Sequence, residues 1–332
     1  MKKAVVLLLV FVVAGFAFAG GQQEAADDSM AADDAWSWVV VESEGEFPQV
    51  NPLEVEGNII TAGSSTVFPA AEFLAAQFQD EGYMANITID SIGSGGGYER
   101  FAAGESDVSN ASRAIRESEV EEAQANGINP IEFRIGTDAL AVVVNPENDW
   151  VENASIEELA QIMTADNWSD VNPSWPDEPV LKFIPGTDSG TFDYFVEEVF
   201  DEDAEPLLNS ANVQLSENDN ILVQGIEGSP NAIGFFGYAY YANEGDALKI
   251  LSIDGVEANT ANVDNGTYPL ARPLFMYSDR EIMRSKPQVA AWLAYVLNNA
   301  ADGMLGVGYF EAPVAAIDEG KQKWLDAVGD MY

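Results

Sequence analysis

The sequence predicts an α/β protein of two lobes, and three observations carry that expectation. Short apolar runs alternate with helical patterns from residue 57 to the C-terminus, the order that builds a parallel sheet with helices on both faces. The chain has 332 residues, enough for a sizeable core and for a second lobe. Loops rich in Gly, Ser and Thr stand repeatedly between a strand and the next helix, where open α/β sheets hold their ligands.

Residues 1–19 read as a cleavable export signal: MKK, then the apolar AVVLLLVFVVAGFAF, then a small-residue site AFA at 17–19. That run is too short for a membrane span, and no Cys is present to take a lipid. The mature protein is therefore expected to be soluble and extracytoplasmic. Residues 20–57 form an acidic linker and N-terminal extension, patternless early and firmer near Trp36–Val41. GNIITAG (57–63) is a short buried strand. PAAEFLAAQFQDEG follows as a helix with Pro69 in its first turn and Gly82 at its end. ANITIDSIG (85–93) alternates as a strand, GGGYERFAAGE is loop into helix, and SDVSNASRAI (106–115) is a short strand ending in a polar loop.

In GTDALAVVVNPEN the segment Ala139–Val144 is a buried strand. SIEELAQIMTADNWSDV (155–171) is one helix, capped by Ser155 with Glu158 three residues on. VLKFIPG (180–186) is a strand and GTFDYFVEEVF (190–200) a helix. AIGFFGYAYYANEG (232–245) is apolar and aromatic, ALKILSIDG (247–255) and RPLFMYSD (272–279) are strands, and QVAAWLAYVLNNAADG (288–303) is a long helix ending before Gly303. AIDEGKQKWLDAVGDMY closes the chain as a helix.

Composition removes whole classes of function. Fifty-six acidic residues face 14 basic ones, a formal net charge of −42; loss of the signal would remove Lys2 and Lys3 and deepen it. Nucleic acid is excluded as a partner, because phosphate backbones need clustered Lys and Arg. Such self-repulsion is tolerable where salt shortens the Debye length, so a halophilic source is expected, with an ordinary acidic secreted protein as the alternative. His and Cys are both absent, which removes disulfides, Cys/His zinc sites and every His- or Cys-based catalytic arrangement. No S-x-x-K, G-x-S-x-G or P-loop occurs. No metal and no cofactor is expected.

Three polar loops share one design: GSST (63–66), GSGGG (93–97) and GTDSGT (186–191). Each sets hydroxyls and unpaired amides at a helix N-terminus, which carries about half a positive charge and receives anions. Helix capping alone explains one such loop; three at strand ends point to anion binding. Arg113, in SNASRAI, can offer a two-pronged donor to an oxyanion or pair with a carboxylate. Asp138 and Asp188 stand nearby and can accept from a protonated oxyanion, which sulfate does not offer; capping and turn formation are their alternative roles.

GSSTVFP, GSGGGYERFAAGESDVSNASRAI, TDALAVVVN, GTDSGTFDYF, AIGFFGYAYY and YPLARPLFMY, in this order, resemble the phosphate-binding proteins of bacterial ABC transporters, the PstS family, over roughly residues 57–330. The resemblance implies a type II periplasmic-binding-protein fold: two α/β lobes with central mixed sheets, joined by two crossover segments, with phosphate in the cleft between them. Crossovers are expected near 136–141 and 235–247, giving a discontinuous lobe 1 of 58–137 plus 244–332 and a lobe 2 of 138–243. By motif, the phosphate ligands are Ser65, Thr66, Val67, Ser94, Arg113, Ser189, Gly190 and Thr191. Where the best-known members carry an acceptor Asp, this chain has Ser112–Arg113, which leaves the acceptor among Ser112, Asp138 and Asp188. A monomer serving a membrane permease is implied, and not an enzyme. Another oxyanion (sulfate, molybdate or tungstate) or a phosphate-ester hydrolase on the same fold are the alternative readings, and an adhesion or sensory role is a third.

Overall fold

One strand of fifteen residues organises the molecule. The computed structural model describes residues 36–41, 47–187, 189–216, 218–238, 240–241 and 247–332; the export-signal reading and Asp188 lie outside them. In chain order the first elements are β1 (Val39–Val40), β2 (Gln49–Val50), β3 (Ile59–Gly63), α1 (Phe68–Asp80), β4 (Ile87–Ser91), α2 (Gly93–Ala102), β5 (Val108–Ala111), α3 (Glu117–Ala125) and β6 (Pro130–Val144). Then come β7 (Asn153–Ala154), α4 (Ile156–Thr164), α5 (Trp168–Val171), β8 (Leu181–Pro185), α6 (Gly190–Phe200), α7 (Glu205–Leu208), β9 (Val213–Ser216), α8 (Asp219–Glu227) and β10 (Ala232–Gly237). The chain ends with β11 (Lys249–Ile250), β12 (Ser252–Ile253), α9 (Thr260–Asp264), β13 (Ala271–Asp279), α10 (Arg280–Ser285), α11 (Pro287–Gly306), β14 (Phe310–Glu311) and α12 (Val314–Val328).

The main sheet runs β4-β3-β5-β13-β6-β10-β8-β9. The pairs β3–β4, β3–β5, β8–β9 and β8–β10 are parallel, as the alternation predicts. The pairs made by β13 and β6 are antiparallel, so the sheet is mixed. β6 spends Pro130–Ala139 on β13 and Leu140–Val144 on β10. From the sequence only its second half, unbroken Val/Ala/Leu, is expected as a strand.

The two largest apolar cores among the described residues form at the two ends of β6, with smaller clusters beside them. The first takes α1, α11 and α12. On α11, Val289, Trp292, Leu293 and Val296 are all fully buried, the i, i+3, i+4, i+7 stripe of a helix against a core. Gly303 does not end this helix: a Cβ there would lie 2.7 Å from Leu74 Cγ, so the glycine admits α1 instead. Trp36, Trp38 and Phe47 of the acidic extension pack into the same core. The second core gathers Leu140, Val142, Leu159, Phe195 and Phe235. Leu251, Ile253, Val263, Tyr268 and Leu270 join it as well, although the sequence reading gave everything after 244 to the first lobe.

Other differences have local causes. Residues 155–171 split into α4 and α5 because Ala165 turns to extended backbone (φ −69°, ψ 149°); Ser155 caps the first piece, its Oγ accepting from the Glu158 amide at 3.0 Å. The strand at 247–255 is two short pieces pairing with different partners, β6 and β7. Helix α3 escapes notice because Ala123 is the one fully buried residue of its nine and five of the nine are exposed Glu, Ser or Gln.

Candidate functional site

Each polar loop folds as its residues dictate. In the first, Gly63 adopts φ +146°, and a Cβ there would strike the Asn110 carbonyl oxygen at 2.0 Å, so only glycine lets β3 lie against β5 at this point. The chain then turns so that Ser64 Oγ accepts from the amides of Thr66 (3.2 Å) and Val67 (3.4 Å). In the second, GSGGG is the first turn of α2 and not a loop before it. Gly97 explains why: a side chain there would lie 2.6 Å from Gly63 Cα, so the bare turn fits against β3. Ser94 Oγ accepts from the Ser112 amide at 3.1 Å and lies 3.3 Å from Ser112 Oγ, tying the α2 turn to the end of β5. In the third, Ser189 is the N-cap of α6 and accepts from the Thr191 amide at 3.2 Å.

Ser65, Thr66, Ser94, Ser112 and Arg113 line one cavity of about 440 Å³. Ser189, Gly190 and Thr191 line an adjoining cavity of about 470 Å³, with Ser65 shared between the two. The N-termini of α1 and α6 meet at that wall: a Cβ on Gly190 would sit 3.2 Å from Thr66 N and Cα, and Ser65 Oγ donates to Asp193 Oδ2 at 3.4 Å. The structure thus brings eight of the expected positions to one junction but spreads them over two faces of it. Val67 offers no side chain there, since it is fully buried in the first core and its amide faces Ser64.

Arg113 is held in place by its neighbours. Its Nη1 and Nη2 donate to Glu119 Oε2 (2.9 Å) and Oε1 (2.6 Å), a bidentate charge-assisted pair. The guanidinium lies 4.9 Å from the Tyr98 ring centroid, and Tyr98 Oη donates to the Arg113 carbonyl at 2.9 Å. Burial alone would raise the Glu119 carboxyl, but the bonds from Arg113 and from the Arg116 amide carry it below the usual range.

Several residues of this junction went unread in the sequence. Arg116, Asp193, Glu197 and Arg272 also line the first cavity. Arg272, 7 % exposed, bonds to Thr66 Oγ1 and to Glu197 Oε2 (3.1 Å), with Asp138 Oδ2 at 3.5 Å from its Nε. Asp138 lines neither cavity; it lies behind, fully buried, and burial pushes its carboxyl up against the pull of Arg272. Asp193 is likewise pushed up by burial, opposed by Ser65 and Arg272. Arg272 was visible within ARPLFMYSD as one of only 14 basic residues, but its strand register hid that it points at the junction. Asp193 could have been found as a first-turn acid of α6, three residues past Gly190. Chemically, the first cavity offers hydroxyls, amides and forked guanidinium groups faced by carboxylates, a set suited to an oxyanion that still carries a proton.

The PBP superfamily domain matches residues 49–300. A protein named SphX from Synechococcus elongatus is 39 % identical over 84 % of this chain and 84 % of its own length. A phosphate-binding protein PstS from Staphylococcus saprophyticus is 30 % identical over 82 % of this chain and 86 % of its own. The crystal structure of a possible phosphate binding protein from Planctomyces limnophilus superposes with a TM-score of 0.76 at 36 % identity, covering 82 % of this chain and 99 % of that one.

Proposed function

The chain belongs to the PBP superfamily, in its PstS-type phosphate-binding group, and from that premise we propose that it captures inorganic phosphate and delivers it to the membrane permease of an ABC transporter. The observation that carries the reading is the junction itself: Ser65, Thr66, Ser94 and Ser112 share one cavity with the Arg113 fork, and the N-terminus of α6 abuts it through Gly190.

In this reading the two cores are two lobes, with β6 and β13 passing between them. The second lobe spans about 139–271 and the first takes the remainder, the packed extension included. Phosphate is stripped of water and held by neutral N–H and O–H donors and one guanidinium. The lobes close on it, which shifts the population toward a closed form that a permease can recognise. A monomer exported by residues 1–19 performs this work outside the cytoplasmic membrane. No bond is made or broken, and Ser189, Gly190 and Thr191 engage the anion through their amides and hydroxyls from the second lobe.

Discrimination falls to the carboxylates. Asp193 and Glu197 repel a fully deprotonated tetrahedral anion but can accept from a protonated one. Asp193 takes the acceptor role in place of Asp138, since Asp193 lies in the cavity wall and Asp138 does not; Ser112 shares that wall, but an ionised carboxylate accepts without donating, which a hydroxyl does not.

Calorimetric titration of the purified protein with phosphate, sulfate, molybdate and tungstate tests the reading. One phosphate per chain, undisturbed by sulfate in excess, is expected. Equal or tighter binding of sulfate, or no binding of phosphate, would overturn it.

A further inference from the structure

Arg272 links the elements of the two packed cores at the site. Its guanidinium stacks on Tyr194, with Cζ 3.6 Å from the ring centroid; Tyr194 belongs to α6 and is 1 % exposed. Nη1 donates to Glu197 Oε2, also on α6, at 3.1 Å. Nη2 donates to Thr66 Oγ1 at the start of α1 and to the Gly190 carbonyl at 3.4 Å. Thus one side chain, rooted in β13, holds α6 at its first residue, Gly190, and along its length at Tyr194 and Glu197, and also holds the turn before α1 at Thr66.

Its counter-charge is arranged differently. Asp138, in the strand position opposite Arg272, is 1 % exposed, and neither of its carboxylate oxygens has a hydrogen-bond partner. The nearest cation is Arg272 Nε, 3.5 Å away and itself without a hydrogen bond. A buried carboxylate left this way is costly unless a charge balances it. The pair supplies that balance without occupying the two Nη groups, so Nη2 stays committed to the two helix starts and Nη1 to Glu197 further along α6.

We propose that Arg272 is a positioning residue of the anion site: it fixes the separation of the α1 and α6 N-termini, with Asp138 as its buried counter-charge. It acts through Thr66 and Gly190. Because a donor must sit within about 3 Å of the oxygen it binds, this separation decides whether one anion can be reached from both helices at once. Lysine cannot reproduce the role, since its point charge lacks the fork that spans Thr66, Gly190 and Glu197 together.

The affinity arm of the test rests on the phosphate reading; a distance arm does not. The chain has no Cys, so Met84→Cys, 90 % exposed beside the first core, and Ile221→Cys, 55 % exposed on α8, can be spin-labelled cleanly. Label-to-label distances are then measured in the background of Arg272 and of Arg272→Gln, with and without inorganic phosphate. Arg272→Gln is expected to broaden the distribution even without phosphate, and to weaken phosphate binding at least tenfold, mainly through faster release. Arg272→Lys should recover part of the charge but less than half of the lost affinity on a logarithmic scale. In the cycle Thr66→Val, Arg272→Gln and the double variant, the two losses should fall well short of multiplying. Distances and affinity equal to the parent's, with only the melting temperature lowered, would overturn the proposal, as would fully multiplicative losses. Where Arg272→Gln does not fold, Arg272→Lys with parental distances and affinity gives the same refutation. A parent protein that ignores phosphate would sink the functional reading while leaving the distance arm to judge Arg272.

Discussion

Replacing Arg113 by lysine separates the shape of the site from its charge. The guanidinium engages Glu119 through two bonds of 2.9 and 2.6 Å, its Nη1 also donates to the Ala114 carbonyl at 3.2 Å, and its Cζ lies over the Tyr98 ring. These contacts fix where the remaining donors point, at a side chain only 22 % exposed. Lysine keeps the charge, but one ammonium cannot hold Glu119 bidentately and face the cavity in a set direction. A hydrogen bond to a charged group contributes about 1.5–3 kcal/mol net. Lysine recovers part of it, so the expected loss is about 1.5 kcal/mol, or about tenfold in Kd. Arg113→Gln loses charge and fork together, about 3 kcal/mol and roughly 150-fold. Titration calorimetry with phosphate gives both constants, and circular dichroism establishes that each variant is folded. Arg100→Lys is the control, since Arg100 pairs with Asp90 on the surface and lines neither cavity; its Kd should match the parent's. An Arg113→Lys protein within twofold of the parent would show that the fork does not touch the anion, and the assignment of this cavity would fail with it.

Gly190→Ala places a methyl 3.2 Å from Thr66 N and Cα, which forces the two helix starts apart by a few tenths of an ångström; phosphate affinity should drop about five- to thirtyfold, following an overpacking cost of about 1–2 kcal/mol, while the thermal melt moves by only a few degrees. Phosphate affinity should hold or improve between dilute buffer and about 1 M salt, where the Debye length is near 3 Å, because the distant acids of a −42 chain are screened and the contact donors are not; titration at several salt concentrations checks this, and a steep monotonic loss would refute it. Lys182, fully buried with its ammonium donating to the Ala165 and Ala211 carbonyls at 2.7 and 2.8 Å, has its pKa brought down by burial to about 8. Above about pH 8 the folded chain has released a proton that the unfolded chain keeps until about 10.5, so stability should rise across that window by up to about 1.4 kcal/mol per pH unit; urea melts of the parent at pH 7.5, 8.5 and 9.5, set against Lys182→Met, should show the rise in the parent alone.

What was legible in the sequence was whatever a short window determines. Strand β3 and helix α1 could be read because GNIITAG and the Pro69 start are local signals, and α11 because its apolar stripe repeats over twenty residues. The three Gly/Ser/Thr loops were found for the same reason: a helix N-terminus advertises its needs within four residues. What failed was set by residues far apart in the chain. Gly303 looked like a terminator and is a seat for Leu74, 229 positions earlier. The first half of β6 alternates weakly, and its pairing with β13 across more than 130 residues makes it a strand. The site divides along the same line. Ser65, Ser94 and Arg113 announce themselves in their own loops, whereas Arg272 matters only because β13 lies beside β6 and carries it to Thr66, 206 positions away. An anion held at one loop needs only that loop's chemistry, but an anion held between two helices needs their spacing. Spacing is a property of the sheet that carries them, so the residue that sets it is found on a strand and in no motif.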